Sequence, residues 1–143
     1  MLQKTVQTFL KDTFDLDSVS LERTGVWIPP SVSSPSVSAP SVSSPSDHRK
    51  IAFIGLHVQR WITSHGISIN FTRASTVPFA DIIVCGERNE KVTCIETETF
   101  AVESKEPEPR YILHSEHNRR WITEAFVGAF SKASKQLNNC SSL

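Results

Sequence analysis

Apolar residues recur at helical spacing near both ends of the chain. In the first segment, polar residues such as Lys4 and Lys11 occupy the other side, a pattern typical of an amphipathic helix of about three to four turns. The second segment predicts the clearest helix of the sequence, because its apolar positions form one continuous face. The apolar positions are Leu2, Val6, Phe9, Leu10 and Phe14 in the first segment, and Ile122, Phe126, Ala129, Phe130, Ala133 and Leu137 in the second.

Strand-like patterns lie between these two helices. The first is a short strand that closes with Val26, Trp27 and Ile28. The run KIAFIGLHV, which begins at Lys50, is apolar at both odd and even positions and predicts a strand covered on both faces. A polar turn, QRWITSHG, follows it, and the alternation in ISINF (67–71) predicts a half-buried strand.

Two further elements are predicted before the last helix. The run FADIIVCG (79–86) is typical of a third short strand that stops at Cys85 and Gly86. Thr93 and Glu96 have the Thr-x-x-Glu spacing of a capping box, so a helix is expected to begin there. The charged, proline-bearing segment 102–110 is typical of a linker, and the tail 138–143 is expected to be frayed.

A low-complexity repeat separates the first strand from the second. Between residues 29 and 47 the chain contains SVSSP, SVSAP and SVSSP in succession. Regular prolines and the lack of large apolar side chains predict an extended, solvated loop in the place of a hairpin turn. A phosphorylated or partner-binding segment is the alternative.

The order of these elements is helix, strand cluster, helix. It predicts an α/β (or α+β) fold, a sheet packed with helices, rather than a bundle or an all-β barrel. A chain of 143 residues is long enough for one domain with a substantial core. We therefore expect residues 1–143 to form a single domain.

Charge and cysteine content exclude several classes of protein. Fifteen Lys and Arg residues balance fifteen Asp and Glu residues, and no basic run interleaves with aromatic residues, so we expect neither a nucleic acid nor a membrane partner. No apolar run approaches the roughly 20 residues of a membrane-spanning helix. An odd number of cysteines, three, and no secretory signal argue against a disulfide-stabilised secreted protein.

Cys85 and Lys50 are the main candidates for chemistry. Cys85 ends an apolar strand and precedes Gly86, which allows a ligand to approach the backbone closely. A lysine held against a core can accept a proton, and a cationic lysine beside a thiol favours the thiolate, so the two groups could transfer an acyl chain. The alternatives are a small buried cysteine and a solvated lysine at a strand end.

His65 and Gly66 form a second candidate segment. His65 could orient a substrate carbonyl or simply bond to a backbone carbonyl in a bend. A metal site is not expected, since Cys85 and Cys94 are not closely spaced and the five histidines lack the short paired spacings of zinc ligands. The sequence also has no phosphate-binding glycine loop, no Gly-x-Ser-x-Gly elbow and no His-Glu-x-x-His motif.

Four segments occur in the order and spacing of one enzyme family. They are TGVWI (24–28), RKIAFIGLHVQRWITSHGISINF (49–71), DIIVCG (81–86) and VTCIE (92–96). Together they resemble the second half of the lipoyl(octanoyl) transferases. The resemblance implies the fold of the biotin and lipoate protein ligases, and transfer of an octanoyl group without ATP or any other cofactor.

The resemblance also implies residue roles and partners. Cys85 would carry the acyl chain as a thioester, and Lys50 would act as acid and base. Substrate-binding roles fall to His65, Gly66 and Asn70, which match the family's His-Gly-x-x-x-Asn segment, and to Gly86 of its Cys-Gly pair. The implied donor is octanoyl-acyl carrier protein. The implied acceptors are lipoyl domains of 2-oxoacid dehydrogenase complexes or the glycine cleavage H protein, in mitochondria, although no presequence is visible.

The chain departs from the family pattern at three places. Val84 stands where the family has proline, and the Ser/Pro repeat replaces a short turn. The Arg-Gly-Gly and His-Gly-Pro-Gly-Gln segments of the family's amino-terminal half have no counterpart, so we expect a partial domain. The alternatives are an enzyme completed by another polypeptide, and a non-catalytic remnant or interaction module. An ATP-dependent lipoate ligase relative, a third alternative, would not need the Lys–Cys pair.

Overall fold

The computed structural model describes residues 1–30, 47–84, 86, 90–100 and 116–140. In these residues a helix is followed by three strands, then by two short 3-10 turns at Arg73–Ser75 and Val77–Ala80. A fourth strand and two further helices come after these turns. The helices and strands are α1 (Leu2–Phe14), β1 (Val26–Ile28), β2 (Arg49–Gln59), β3 (Ile62–Ile69), β4 (Lys91–Val92), α2 (Ile95–Phe100) and α3 (Glu116–Cys140).

Helix α1 confirms the amphipathic prediction, and it buries its apolar side. Val6, Phe9 and Leu10 are fully buried. The helix ends where Asp15 adopts a left-handed conformation with φ 54°. The backbone N–H of Leu16 then donates to the carbonyl of Leu10 at 3.2 Å, which folds Leu16 back onto the core.

Strand β2 is the centre of the sheet. β1 lies antiparallel to it along one edge, which confirms that the segment between them connects two neighbouring strands. Two strands pair with the opposite edge of β2, one after the other along its length. β4 is parallel to β2, and β3 is antiparallel to it. Beyond Ala52, β2 pairs only with β3 among the described residues, so the far half of this hairpin is a two-stranded ribbon.

An irregularity in the pairing of β1 with β2 decides which residues face the helices. Val26 pairs with Ala52 whereas Trp27 pairs with Lys50, so β2 has one extra residue, Ile51, at this point. A bulge of this kind shifts the alternation of side chains. Ile51 and Ala52 therefore both join the core below helix α1, and Lys50 lies with Trp27 on the other face.

Helix α3 packs on helix α1 and confirms the second predicted helix. The rings of Phe126 and Phe9 meet edge to face with centroids 5.4 Å apart, and Ala129 lies in the core. Edge-to-face contacts of this kind stabilise aromatic clusters beyond the burial of area. The helix continues to Cys140, so the prediction of a frayed tail is wrong for residues 138–140.

The hairpin of β2 and β3 is tighter than predicted. The chain reverses at Arg60 and Trp61 alone, whose φ values of 49° and 67° are those of a two-residue hairpin turn. β3 consequently begins at Ile62, and the predicted polar turn is wrong: His65 and Gly66 lie within the strand. The β-branched residues around them favour the extended backbone.

The predicted third strand, residues 79–86, is wrong in its described part. Residues Val77–Ala80 form a 3-10 turn with Pro78 near its start, a position that suits proline's fixed φ and missing N–H. Ile82 and Ile83 are exposed, and only Val84 forms a bridge.

The helix predicted near Thr93 is present as α2, but its capping box is wrong. The helix begins at Ile95, one residue later than the spacing indicates. The Thr93 hydroxyl donates to Glu98, and Glu96 accepts the backbone N–H of Arg73 at 2.8 Å. Both side chains thus bond outside the cap.

The architecture confirms a mixed helix and sheet fold at the coarse level, with α1 on one face of a largely antiparallel sheet. The prediction that β2 is covered on both faces is wrong beyond its first half, where Leu56 and Val58 are exposed. No described helix is both long and apolar enough to cross a membrane. Most of the Ser/Pro repeat (31–46), the linker 102–110 and residues 141–143 lie outside the described residues.

Candidate active site

Lys50 lies buried on the face of the sheet that is turned away from helix α1. Only 2% of its side chain is exposed. Its Nζ stands 4.8 Å from the ring centroid of Trp27 and 5.1 Å from that of Phe53. Phe53 is in turn stacked on Phe79, with centroids 5.1 Å apart. Aromatic faces at this distance attract a cation, so the amine is held in an aromatic niche.

A buried carboxylate completes this niche. Glu90, immediately before β4, places its carboxylate oxygens 3.3 and 3.5 Å from Lys50 Nζ, and its side chain is 1% exposed. Arg23 approaches the same carboxylate at 3.6 Å and lies over the Trp27 ring. The parallel pairing of Lys50 with Val92 sets the register that brings Glu90 here. The result is a cluster of one buried carboxylate, one buried cation and one half-buried cation.

Gly25 makes room for the Lys50 side chain. Its φ of 134° is a conformation that side-chain-bearing residues rarely adopt. A Cβ built at this position would lie 2.6 Å from Lys50 Cε and 2.9 Å from the carbonyl oxygen of Ala52. The glycine of TGVWI is therefore required by close approach as well as by its backbone conformation.

Cys85 lies outside the described residues, so its predicted role stays a prediction. Its neighbours in sequence are described: Val84 is buried, and Gly86 is exposed with φ 83°. No atom of the described residues lies within 4 Å of a Cβ built on Gly86. The positive φ is therefore the described feature that favours glycine after Cys85.

His65 lies on the opposite face of the sheet from Lys50. It pairs with Leu56 and follows the alternation of Ile67 and Ile69, which pack against the core. With Gly66 it lines an open apolar cavity of about 470 Å³ between β3 and helices α1 and α3. The structure therefore does not bring His65 and Lys50 together.

Asn70 is buried and ties β3 to the loop before α2. Its side-chain amide donates to the carbonyl of Thr93 at 3.0 Å, and its own carbonyl accepts the N–H of Ile95 at 2.9 Å. Its backbone N–H donates to Ile51. These bonds fix β2, β3 and the loop before α2 relative to one another. Lys50 lies in this part of β2, next to Ile51.

A second, partly buried ion pair lies one residue from Lys50. Glu98 accepts two hydrogen bonds from the Arg49 guanidinium, at 2.8 and 2.9 Å, and one from Thr93. Burial acts to raise the pKa of Glu98, but the hydrogen bonds of Arg49 and Thr93 outweigh it, and the pKa lies below its ordinary value. The same hydrogen bond to Glu98 raises the pKa of Arg49.

Three residues of this site were not assigned from the sequence. Glu90 ends a charged run in the sequence, ERNE, of a composition that is typical of solvated loops. Arg23 is likewise an ordinary polar residue of a connection. Gly25 had a usable signal, since a glycine immediately before a buried strand often marks a close approach. Among the described residues, no group of three or more His, Cys, Asp or Glu side chains could hold a metal ion.

The chain is similar to curated octanoyltransferases. It is 40% identical over 78 residues to the octanoyltransferase of Acidobacterium capsulatum, 54% of this chain and 26% of that protein. It is 32% identical over 92 residues to a chloroplastic octanoyltransferase of Arabidopsis thaliana, 64% of this chain and 26% of that protein. For the octanoyltransferase of Geotalea uraniireducens, the identity is 37% over 76 residues, 53% of this chain and 27% of that protein.

These similarities confirm the resemblance, over about half of the chain, to the octanoyltransferase family. The matched region spans about a quarter of the length of these relatives. No protein-family model matches the chain. No solved structure matches it significantly.

Proposed function

We propose that this chain carries part of an octanoyltransferase active site, in which Cys85 is the nucleophile and Lys50 is its acid and base. The observation that carries the proposal is the burial of the Lys50 amine near the start of a largely apolar strand. A buried charge is costly and is weak evidence of a stabilising role. A function in proton transfer explains its presence, and the similarity to octanoyltransferases indicates which reaction it serves.

The proposed reaction has two balanced halves. The Cys85 thiolate attacks the carbonyl carbon of an octanoyl thioester, a new C–S bond forms, and the donor's C–S bond breaks. The leaving thiolate takes a proton from the Lys50 ammonium. In the second half an acceptor lysine amine attacks the Cys85 thioester, an amide C–N bond forms, and the C–S bond to Cys85 breaks and releases the Cys85 thiolate. The proton of that amine returns to Lys50.

The proposed donor is octanoyl-acyl carrier protein, and the proposed acceptors are lipoyl domains of 2-oxoacid dehydrogenase complexes or the glycine cleavage H protein. The ligase-like fold and substrate roles for His65, Gly66, Asn70 and Gly86 belong to the same proposal. So does a mitochondrial location, which fractionation of the source cells with an antibody to the chain would test. The matched Arabidopsis relative is described as chloroplastic.

Acylation of the purified chain tests the proposal directly. Octanoyl-acyl carrier protein is expected to add one octanoyl mass increment that peptide mapping places on Cys85. The increment should vanish in Cys85→Ser. Cys94 serves as an internal control, because it is buried with its Sγ against the Thr97 hydroxyl and should stay unmodified. An unmodified Cys85 in the folded chain, under conditions in which a full-length relative is acylated, would overturn the proposal.

Substitution of Lys50 tests the acid and base role. Lys50→Met keeps much of the apolar stem and removes the amine, so acylation should slow by about 100-fold, the range of a lost general acid. Lys91→Met, an exposed lysine on β4, is the matched control and should leave the rate unchanged. Equal rates for both variants would exclude Lys50 from the reaction.

A second candidate is an interaction module of the same family that binds a lipoyl domain without transfer. Titration of a lipoyl domain against the chain in the presence of octanoyl-acyl carrier protein, followed by mass spectrometry of the chain and the lipoyl domain, separates the two. Binding without acylation of either partner supports the module, whereas octanoylation of the lipoyl domain supports the enzyme.

A further inference from the structure

Glu90 is the described carboxylate that touches the Lys50 ammonium, and both groups are nearly inaccessible to water. Their side chains are 1% and 2% exposed, and the shorter Nζ–oxygen distance is 3.3 Å. A charge pair in such surroundings interacts far more strongly than an exposed one, because little water screens it.

The other described neighbours of Nζ also suit a cation. The rings of Trp27 and Phe53 present their faces to it at 4.8 and 5.1 Å. A neutral amine would lose both the ion pair and the attraction of the rings. The second cation of the cluster, Arg23, is 3.6 Å from Glu90 and offsets part of that carboxylate's charge.

We propose that Glu90 is a positioning residue that holds Lys50 as an ammonium in the resting protein, so that Lys50 enters acyl transfer as the proton donor. This inference rests on the proposed function. Glu90 itself forms no bond to the substrate. The ammonium gives its proton to the leaving donor thiolate while the new Cys85 thioester forms, and Glu90 then favours return of a proton from the acceptor amine.

The charge state of Lys50 can be observed without any turnover. In the full chain labelled with 13C-lysine, the Cε signal reports the loss of the proton from each amine, and Lys50→Met assigns the Lys50 signal. Glu90→Gln is nearly isosteric and removes the charge. We expect the Lys50 signal to differ from that of the parent in the direction of a less stable ammonium, because the described carboxylate that faces Nζ has lost its charge.

Two further variants sharpen this measurement. Glu90→Asp keeps the charge and should restore most of the parental titration. Glu98→Gln is the matched control, because it removes another buried carboxylate that binds Arg49 rather than Lys50. A folded Glu90→Gln chain with an unmoved Lys50 titration, or an equal movement in Glu98→Gln, would overturn the role of Glu90.

Acylation kinetics separate this inference from the proposed function. Glu90→Gln should lower the maximal rate of Cys85 acylation by about tenfold at unchanged KM for octanoyl-acyl carrier protein, with Glu90→Asp intermediate. If Cys85 of the parent is never acylated but the Lys50 titration moves, the proposed function alone fails. If Cys85 is acylated at the same rate in Glu90→Gln, the role of Glu90 alone fails.

Discussion

Gly25 lies directly against the aliphatic stem of Lys50, so closely that a Cβ on the glycine would come within 2.6 Å of Lys50 Cε. This contact joins two motifs, TGVWI and KIAFIG, that are separated by the Ser/Pro repeat in sequence. It also means that the depth at which the lysine amine is buried depends on the absence of one methyl group.

Gly25→Ala should therefore destabilise the fold. The substitution adds a clash with Lys50 and with the carbonyl of Ala52, at a φ that alanine rarely adopts. We expect a loss of about 2 kcal/mol or more in the free energy of unfolding, measured by urea denaturation. Gly55→Ala is the control, since no atom of the described part of the chain lies within 4 Å of a Cβ there. Equal stability of the two variants would contradict the required close approach.

Glu98→Gln should weaken the fold in a pH-dependent manner. At pH 7 the substitution removes the negative charge and one of the two acceptor oxygens that bind Arg49 and Thr93, and we expect a loss of about 1 to 3 kcal/mol. Because the pKa of Glu98 is lowered in the folded state, its contribution is complete above the unfolded-state pKa and is lost as the pH falls through the folded-state pKa.

Stability curves of the parent and of Glu98→Gln should accordingly converge as the pH falls below the ordinary range of a glutamate carboxyl. Glu124→Gln removes an exposed ion pair with Arg120 and should change stability by less than about 0.5 kcal/mol at every pH. A constant difference between the parent and Glu98→Gln from neutral to acid pH would show that the lowered pKa of Glu98 contributes nothing.

Phe9→Ala should remove the aromatic ring through which α1 packs against α3. The Phe9 ring is fully buried and meets the rings of Phe14, Phe71 and Phe126 with centroids 5.4 to 6.3 Å away. A cavity of this size costs about 3 to 5 kcal/mol. We expect the loss of a cooperative thermal transition, whereas Val127→Ala, on the exposed side of α3, should retain it. An unchanged thermal transition in Phe9→Ala would show that the Phe9 ring is not essential to the hydrophobic core.

Trp61→Gly should stabilise the chain although it removes a large side chain. Trp61 is 99% exposed and adopts a φ of 67° in the hairpin turn, a conformation that glycine reaches without cost. We expect a gain of about 0.5 to 1 kcal/mol in urea denaturation. Thr63→Gly, two residues later within β3, should show the opposite sign. A loss of stability in both variants would indicate that the Trp61 side chain packs against another part of the protein.

Local patterns determined the elements whose signal lies in a single segment. The apolar stripe of the first helix, the face of the last helix and the short strand at Val26–Ile28 each arise from periodicity or propensity within a few residues. The pattern of segments that resembles octanoyltransferases is likewise a property of the sequence, and the similarity to curated relatives confirms it.

Only the tertiary structure decided where the side chains of these elements point. The bulge at Ile51 sends Lys50 away from the core, and strand pairing leaves His65 on the other face. No local pattern encodes such a shift, because it depends on the register between two strands that are distant in sequence. The partnership of Lys50 with Glu90, forty residues away, has the same origin: a parallel pairing of two residues in β4 with β2 brings the carboxylate to the amine.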